Sequence, residues 1–303
     1  MTMAVAAARP VRARHRVAPY ALIVPAAVML AIAMGYPVGW LVWASFMHFT
    51  LATQFGAPPE FAGFANYVRV FTDPAVWSVI GRSLAFCLVN AVVTMLIGIG
   101  VALLMKAVNT GVRLVLQVTM LLAWAMPVVA SVTVWSWLFD WRRGVVNYLL
   151  TSAGLDMTNY QWLGTRLGLY FVATVIIVWM SVPFVAFSVY AGLTQVSEDV
   201  MEAAQIDGAS AARRFTAIVL PLVRPVLMIV GLLQIIWDLR VFTQIKMLQD
   251  QSRPLDSDLL GTYIFNNGFG NFSLGATLSI VVLLVTIVFS AVYVVQIIKD
   301  EPS

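Results

Sequence analysis

The chain has 303 residues, of which 61% are hydrophobic and only 11% are charged. An ordinary soluble domain is about 45–50% apolar and about 25% charged, so this composition excludes a soluble or disordered chain and predicts an integral membrane protein. One cysteine and two histidines predict neither a disulfide framework nor a metal site. The net charge of +4 indicates basic residues at the cytoplasmic ends of membrane helices rather than a nucleic-acid partner.

A helix needs about 20 predominantly apolar residues to cross the hydrocarbon core of a bilayer. The sequence contains six such stretches, at residues 20–46, 83–105, 114–139, 167–193, 223–245 and 274–298. Asp238 and Arg240 interrupt the fifth, which is the poorest of the six. The first is too long for the apolar part of a signal peptide, so we expect it to remain as a helix. The predicted fold is all-α, with six transmembrane helices.

Basic residues set the predicted orientation. Four arginines precede the first span, at positions 9, 12, 14 and 16. Positive residues beside the first helix favour the cytoplasmic side. Six spans then leave both termini in the cytoplasm. We therefore predict a basic cytoplasmic tail at 1–19, one membrane domain at 20–298 and a second cytoplasmic tail at 299–303.

The segment between the fourth and fifth spans, residues 194–223, is cytoplasmic in this topology. Connections between bundle helices typically have about 2–8 residues, so this one is long, and it carries both acidic and basic groups. Ser197 is a suitable N-cap for a first short helix, and Gly208 suits the left-handed residue that ends it. A second short helix is predicted at 210–219. Composition leaves two interpretations open: a helix pair across the cytoplasmic mouth, or an amphipathic segment on the lipid surface.

A motif in this loop favours the helix pair. Residues 202–221 read EAAQIDGASAARRFTAIVLP, which resembles the cytoplasmic signature of the permeases of ATP-binding-cassette (ABC) importers. Seven residues fall on the signature without an insertion: Glu202, Ala203, Ala204, Gly208, Ile218, Leu220 and Pro221. The resemblance implies that the first short helix is a coupling helix, which docks in a groove of a separate ATP-hydrolysing subunit. The small residues permit close packing there, and Glu202 and Asp207 can pair with basic groups of that subunit.

The same resemblance implies the fold, the location and the partners. The expected fold is that of a type I ABC importer permease in a bacterial plasma membrane. The expected partners are a second permease subunit of a related but different chain, two ATPase subunits and an extracytoplasmic solute-binding protein. The chain has no phosphate-binding loop of the Gly-x-x-x-x-Gly-Lys-Ser/Thr type. ATP and Mg²⁺ are therefore expected on the ATPase subunits, and this chain is expected to bind no cofactor and to be no enzyme.

Two shorter motifs indicate the class of solute. Residues 61–67, FAGFANY, resemble the Phe-x-Gly-x-x-Asn-Tyr run of carbohydrate-importing permeases, and WLF at 137–139 with GVVN at 144–147 resembles another part of that subfamily. These motifs favour a sugar over a peptide, an amino acid or a metal ion. The arginine-rich N-terminus and the fifth span are most similar to the trehalose-importing permeases of actinobacteria, which implies a disaccharide.

Ionisable residues inside a membrane span are unfavourable and are candidate functional residues. Asp238 and Arg240 lie near mid-membrane, where transporters commonly hold their substrate, although a structural ion pair also explains them. On a regular helix Gln234, Trp237, Asp238 and Val241 share a face. An amide, a carboxylate and an aromatic ring are groups that contact sugars. This face, with Arg240 directed to a neighbouring helix, is the predicted solute site.

Some alternatives stay open on the residues alone. Asn90 in the second span is a further candidate for the pathway, although a hydrogen bond between helices explains it more simply. An importer of a non-sugar solute is the closest alternative function. An ion-coupled secondary transporter would use Asp238 as its proton or cation site, but it leaves the 202–221 motif unexplained. A membrane-embedded enzyme lacks a histidine cluster or paired carboxylates in the spans.

Overall fold

The computed structural model describes residues 18–252, 254–268 and 271–300, and these ranges are mostly helical, as the all-α prediction requires. Most of each predicted tail lies outside the described residues, and all four N-terminal arginines do. The helices are α1 (Ala18–Ser45), α2 (Leu51–Gln54), α3 (Ala65–Thr72), α4 (Pro74–Ala107), α5 (Thr110–Ala125), α6 (Val128–Leu138), α7 (Val145–Ser152), α8 (Arg166–Leu193), α9 (Glu198–Ile206), α10 (Ala211–Arg214), α11 (Leu220–Leu239), α12 (Thr243–Gln251), α13 (Leu260–Gly268) and α14 (Phe272–Asp300). Two short strands, β1 (Met47–His48) and β2 (Glu60–Phe61), pair antiparallel.

Polar side chains fix the starts of three of the longer helices. Asp73 accepts a hydrogen bond from the backbone of Ala75 at 2.8 Å and begins α4. Asn109 does the same for α5, and Thr165 for α8. Each cap satisfies a first-turn N–H group that has no partner inside the helix. The boundaries of these helices therefore follow from local sequence.

The core of the protein is built around α8. This helix packs against α4, α5, α6, α11 and α12, and it is the most buried of the long apolar helices. A Cβ atom at Gly98 of α4 would lie 2.5 Å from Cγ1 of Val185. Only glycine permits that approach, so Gly98 sets the spacing of the α4–α8 pair. By contrast, residues 23–40 of α1 are all exposed within this chain.

The structure shows fewer straight spans than the sequence predicts. Among the described residues, four helical runs are long and apolar enough to cross a bilayer: Ile23–Ser45 in α1, α4, α8 and Ala211–Gln251. The pair α5 and α6 adds a fifth if it is counted as one bent span. The apolar part of α14, Phe272–Val288, falls short of the same length. The number six and the cytoplasmic position of both termini stay predictions.

The prediction of one continuous third span was wrong. α5 and α6 meet at an angle of 104°. Met126, between them, is extended, with φ −71° and ψ 131°, and Pro127 follows it. Proline has no N–H group to donate, and it disfavours helical geometry in the residue before it. The bend therefore has a local cause that apolar length alone conceals.

The predicted fifth span is interrupted as well. α11 ends just before Arg240, whose φ and ψ are −98° and 10°, and α12 begins three residues later. Residues 232–253 contain neither proline nor glycine, so no helix-breaking residue explains the interruption. Val223 and Val230 of α11 pack into one hydrophobic cluster, whereas Ile245 and Leu248 of α12 pack into another. The break lets the two segments bury different faces.

Both short motifs that resemble carbohydrate permeases stabilise the fold. Asn66 donates a hydrogen bond to the carbonyl of Ser45 at 2.8 Å, and the hydroxyl of Tyr67 lies 2.7 Å from that of Ser45. These contacts tie α3 to the end of α1. The buried Asn147 accepts a hydrogen bond from the indole of Trp162 at 2.5 Å. The two asparagines are therefore structural anchors.

Candidate functional site

The coupling segment is defined here as residues 198–208, which comprise α9 and its end. Glu198 and Asp199 occupy the first turn of α9, where the helix dipole favours carboxylates, as predicted. Gly208 has φ +77°, which confirms the left-handed turn. The prediction for Ser197 was wrong in one respect, because it occupies the N-cap position without a side-chain hydrogen bond.

The two faces of α9 differ. Met201 packs against the hydrophobic cluster that contains Val189 and Leu193 at the end of α8. On the opposite side Ala203 is exposed and Ile206 is 86% exposed. An exposed apolar stripe on a short charged helix is typical of a surface that another protein covers.

The signature residues divide between this surface and the next helix. Glu202, Ala203, Asp207 and Gly208 are exposed, and Ala204 is half-buried. Ile218 is half-buried in a π-helical turn, Phe215–Val219, and Leu220 and Pro221 open α11. Pro221 therefore lies in the turn that directly follows the π-helical turn.

The predicted second helix at 210–219 is helical from Ala211, but it does not end at 219, because α10 runs through the π-helical turn into α11. The side chain of Arg214 also donates a hydrogen bond to Gln205 Oε1 at 2.6 Å, which ties α10 to α9. The coupling segment is thus joined directly to the helix that carries the predicted solute residues.

The helix-end pair, defined as Gln234 and Asp238, lies one turn apart near the end of α11. Gln234 Nε2 donates a hydrogen bond to Asp238 Oδ1 at 2.9 Å. The two residues are only 0% and 3% exposed. Among the described residues, Gln234 Oε1 and Asp238 Oδ2 have no hydrogen-bond partner. Leaving a buried polar atom unsatisfied costs about 1–3 kcal/mol, so these oxygens are strong acceptors for any hydroxyl group that reaches them.

Asn90 lies on the neighbouring helix at the level of the helix-end pair. α4 runs antiparallel to α11, with Cys87 beside Ile235 and Met95 beside Gly231. Asn90 is fully buried and donates its hydrogen bond within α4, not between helices as expected. Its Oδ1 has no partner among the described residues. α4 therefore holds a third buried amide or carboxyl oxygen without a partner among the described residues.

Trp237 and Arg240 lie on the outside of the chain. Both are exposed, and the indole of Trp237 packs edge-on against Phe184 at a centroid distance of 5.0 Å. Gln234 and Asp238 share the buried face that was predicted, whereas Trp237, three residues after Gln234 and about 60° around the helix, lies at the exposed edge of that face. Val241 lies past the helix break. Within the described residues Asp238 and Arg240 form no ion pair.

Two cavities were not foreseen from the sequence. One, of about 250 Å³, is bordered by Ser136, Asp140, Trp141, Gln161 and Gln251 among others. Gln251 donates a hydrogen bond to Ser136 Oγ at 3.0 Å there. Three separate segments form this polar site, so no local motif signals it. The other, of about 1020 Å³, lies between α4, α5 and α8 and has a mainly apolar lining.

Comparison with known proteins identifies the family. Residues 94–299 match the family described as the binding-protein-dependent transport system inner membrane component. The chain belongs to this family. It is a multi-pass membrane permease subunit of an ABC importer and not an enzyme, since ATP is hydrolysed by a separate subunit of such importers. The family that the 202–221 motif indicates is confirmed.

Related sequences and structures extend this result. The chain is 37% identical over 287 residues to the diacetylchitobiose uptake system permease protein DasB of Streptomyces coelicolor, across 94% of this chain and 88% of the relative. It is 30% identical to the trehalose transport system permease protein SugA of Mycobacterium tuberculosis, across 93% and 89%. It also resembles a chain of a bacterial ABC transporter involved in alginate import, with TM-score 0.78 at 20% identity, across 94% and 96%. That likeness shows the type I permease fold.

Proposed function

We propose that this chain forms half of the translocation pathway of an ATP-driven importer for a sugar, in a bacterial plasma membrane. The observation that carries the proposal is the direct connection between the coupling segment and the helix-end pair. An exposed docking helix is followed, after the turn at 207–210, by α10 and a π-helical turn. These lead without a break into the helix whose buried oxygens have no partners among the described residues. Displacement at one end is thereby conveyed to the other.

The proposed machine contains a second permease subunit, two ATPase subunits and an extracytoplasmic binding protein that delivers the sugar. ATP and Mg²⁺ belong to the ATPase subunits. Ala203 and Ile206 fill the groove of the ATPase, and Glu202 and Asp207 pair with basic groups beside it. Coupling requires that nucleotide and sugar each bind the two conformations unequally.

The proposed solute is a disaccharide. The relatives named above that handle diacetylchitobiose and trehalose support this class, and both sugars are rich in hydroxyl donors. Gln234 and Asp238 accept hydrogen bonds from sugar hydroxyls once α11 turns at its break near Arg240. Trp237 offers an aromatic plane to a pyranose face. Asn90 and Arg240 complete the predicted site.

Purification from native membranes tests the function. We expect the chain to bring an ATPase subunit and a second permease with it, and the reconstituted complex to hydrolyse ATP faster when its binding protein carries a disaccharide. Trehalose and diacetylchitobiose are tested in parallel, with a dipeptide and an amino acid as controls. Stimulation by a control solute alone would contradict the sugar assignment. Ion-driven uptake by the isolated chain would establish the secondary transporter instead.

A further inference from the structure

Two basic residues of the hairpin formed by α4 and α5 make hydrogen bonds to the last turn of α8. Lys106, in the last turn of α4, donates a hydrogen bond from Nζ to the carbonyl of Leu193, the last residue of α8, at 3.2 Å. The last carbonyls of a helix have no partner inside it, and the helix dipole adds a partial negative charge there. α4 and α8 run parallel, because Gly98 meets Val185 and Lys106 meets Leu193. Lys106 therefore lies where two negative helix ends coincide.

Arg113 makes the second contact. Its Nη1 donates to the hydroxyl of Tyr190 in the last turn of α8 at 3.0 Å, and its Nη2 donates to the carbonyl of Val108, just after α4, at 3.2 Å. The guanidinium carbon also lies 5.9 Å from the centroid of the Tyr190 ring. Arg113 sits in the first turn of α5, where the dipole of its own helix disfavours a cation. The ends of α4 and α8 compensate for this placement.

The contacts of Lys106 and Arg113 lie next to the start of the coupling segment. Only residues 194–197 separate α8 from α9, and Val196 among them is buried. Met201 of α9 packs against the same hydrophobic cluster as Tyr190 and Leu193. The far end of the segment leads into α11. The coupling segment is thus fixed at its start to the end of α8 and joined at its end to α11, and Val219 just before α11 and Val223 within it pack in that same cluster.

We propose that Lys106 and Arg113 are positioning residues for coupling. They hold the last turn of α8 to the α4–α5 hairpin, so that movement of α9 displaces α4, α5 and α8 together and does not unwind the end of α8. The proposal rests on the proposed importer function. It assigns no contact with sugar, nucleotide or the ATPase to either residue.

The experiment uses the complete importer in liposomes, with its ATPase, second permease and binding protein. Lys106→Met and Arg113→Met remove the charge and keep an apolar stem of similar length. Tyr190→Phe removes the hydroxyl acceptor and keeps the ring, and Lys106→Arg restores the cation. Arg142→Met, at an exposed position that makes no contact with the end of α8 among the described residues, is the matched control. The measurements are sugar taken up per ATP hydrolysed, basal ATP hydrolysis and the ATPase content of the purified complex.

We expect Lys106→Met and Arg113→Met each to lower sugar uptake per ATP about fivefold, with ATPase content unchanged. Tyr190→Phe should lower it less than Arg113→Met does, because it removes only the hydrogen bond of Nη1 and leaves the ring and the bond to Val108. Tyr190→Phe should add little to Arg113→Met, since the bond that it removes is already lost there. Lys106→Arg and Arg142→Met should match the unmodified importer. A ratio within twofold of normal in the Lys106→Met, Arg113→Met double variant would overturn the proposal. Loss of the ATPase from that complex, or failure of Lys106→Arg to restore the ratio, would also overturn it. If the unmodified complex itself shows no sugar-stimulated hydrolysis, the proposed function fails instead.

Discussion

The coupling segment and the helix-end pair both place acidic groups at functional positions, but in opposite surroundings. Glu202 and Asp207 are exposed on a short helix at the surface. Gln234 and Asp238 are buried inside a long apolar helix, with oxygens that lack partners among the described residues. Exposed charges stay hydrated, so they destabilise the fold little, and they select a protein partner through charge complementarity. Buried unsatisfied oxygens destabilise the chain, which favours a role in a state where they acquire donors.

The largest expected effect comes from reversing charge in the coupling segment. Glu202→Lys places a like charge against the basic groups proposed on the ATPase, and like-charge contacts in an interface cost several kcal/mol. We expect sugar-stimulated ATP hydrolysis to fall at least about tenfold, measured on the reconstituted complex. Glu60→Lys, an equally exposed position in β2, is the matched control and should leave hydrolysis unchanged. Normal stimulation in Glu202→Lys would remove this helix from the coupling role.

An intermediate effect is expected at the helix-end pair. Asp238→Asn keeps the size of the side chain and an oxygen that accepts from Gln234, but it replaces the unpartnered Oδ2 with a donor. The lost acceptor is worth about 1.4 kcal/mol if it holds a sugar hydroxyl, so the KM for uptake should rise about tenfold. Asp156→Asn, in an exposed loop, is the control. An unchanged KM at normal expression would make the pair a purely structural contact.

The smallest effect is expected at the turn that ends α9. Gly208 has φ +77° and Gly56 has φ +98°, and a Cβ atom at either position would meet nothing within 4 Å. Valine at either position introduces a similar strain, of about 1–2 kcal/mol. We expect Gly208→Val to lower sugar-stimulated hydrolysis a few-fold, because α9 shifts, and Gly56→Val to lower only thermal stability. Equal hydrolysis in the two variants would show that the orientation of α9 is unimportant.

Local features of the fold were predictable, and distant contacts were not. The composition and the length of the apolar stretches indicate a helical membrane protein, and the 202–221 motif identifies the family and the position of α9. Pro127 marks the bend between α5 and α6 in retrospect. The break near Arg240 has no such marker, since Ile245 and Val230 are drawn into different clusters by the rest of the bundle.

In the candidate site, too, the local features were predictable and the contacts between distant residues were not. Gly208 and the acidic first turn of α9 are readable in the amino-acid order, because a turn and a helix start depend on neighbouring residues. The contact of Cys87 with Ile235, one helical turn before the buried Asp238, and the contact of Lys106 with Leu193 join residues 148 and 87 positions apart. Such pairings arise from helix packing, where the spacing at Gly98 and the parallel course of α4 and α8 decide which side chains meet. The periodicity and the composition of the sequence do not predict these pairings.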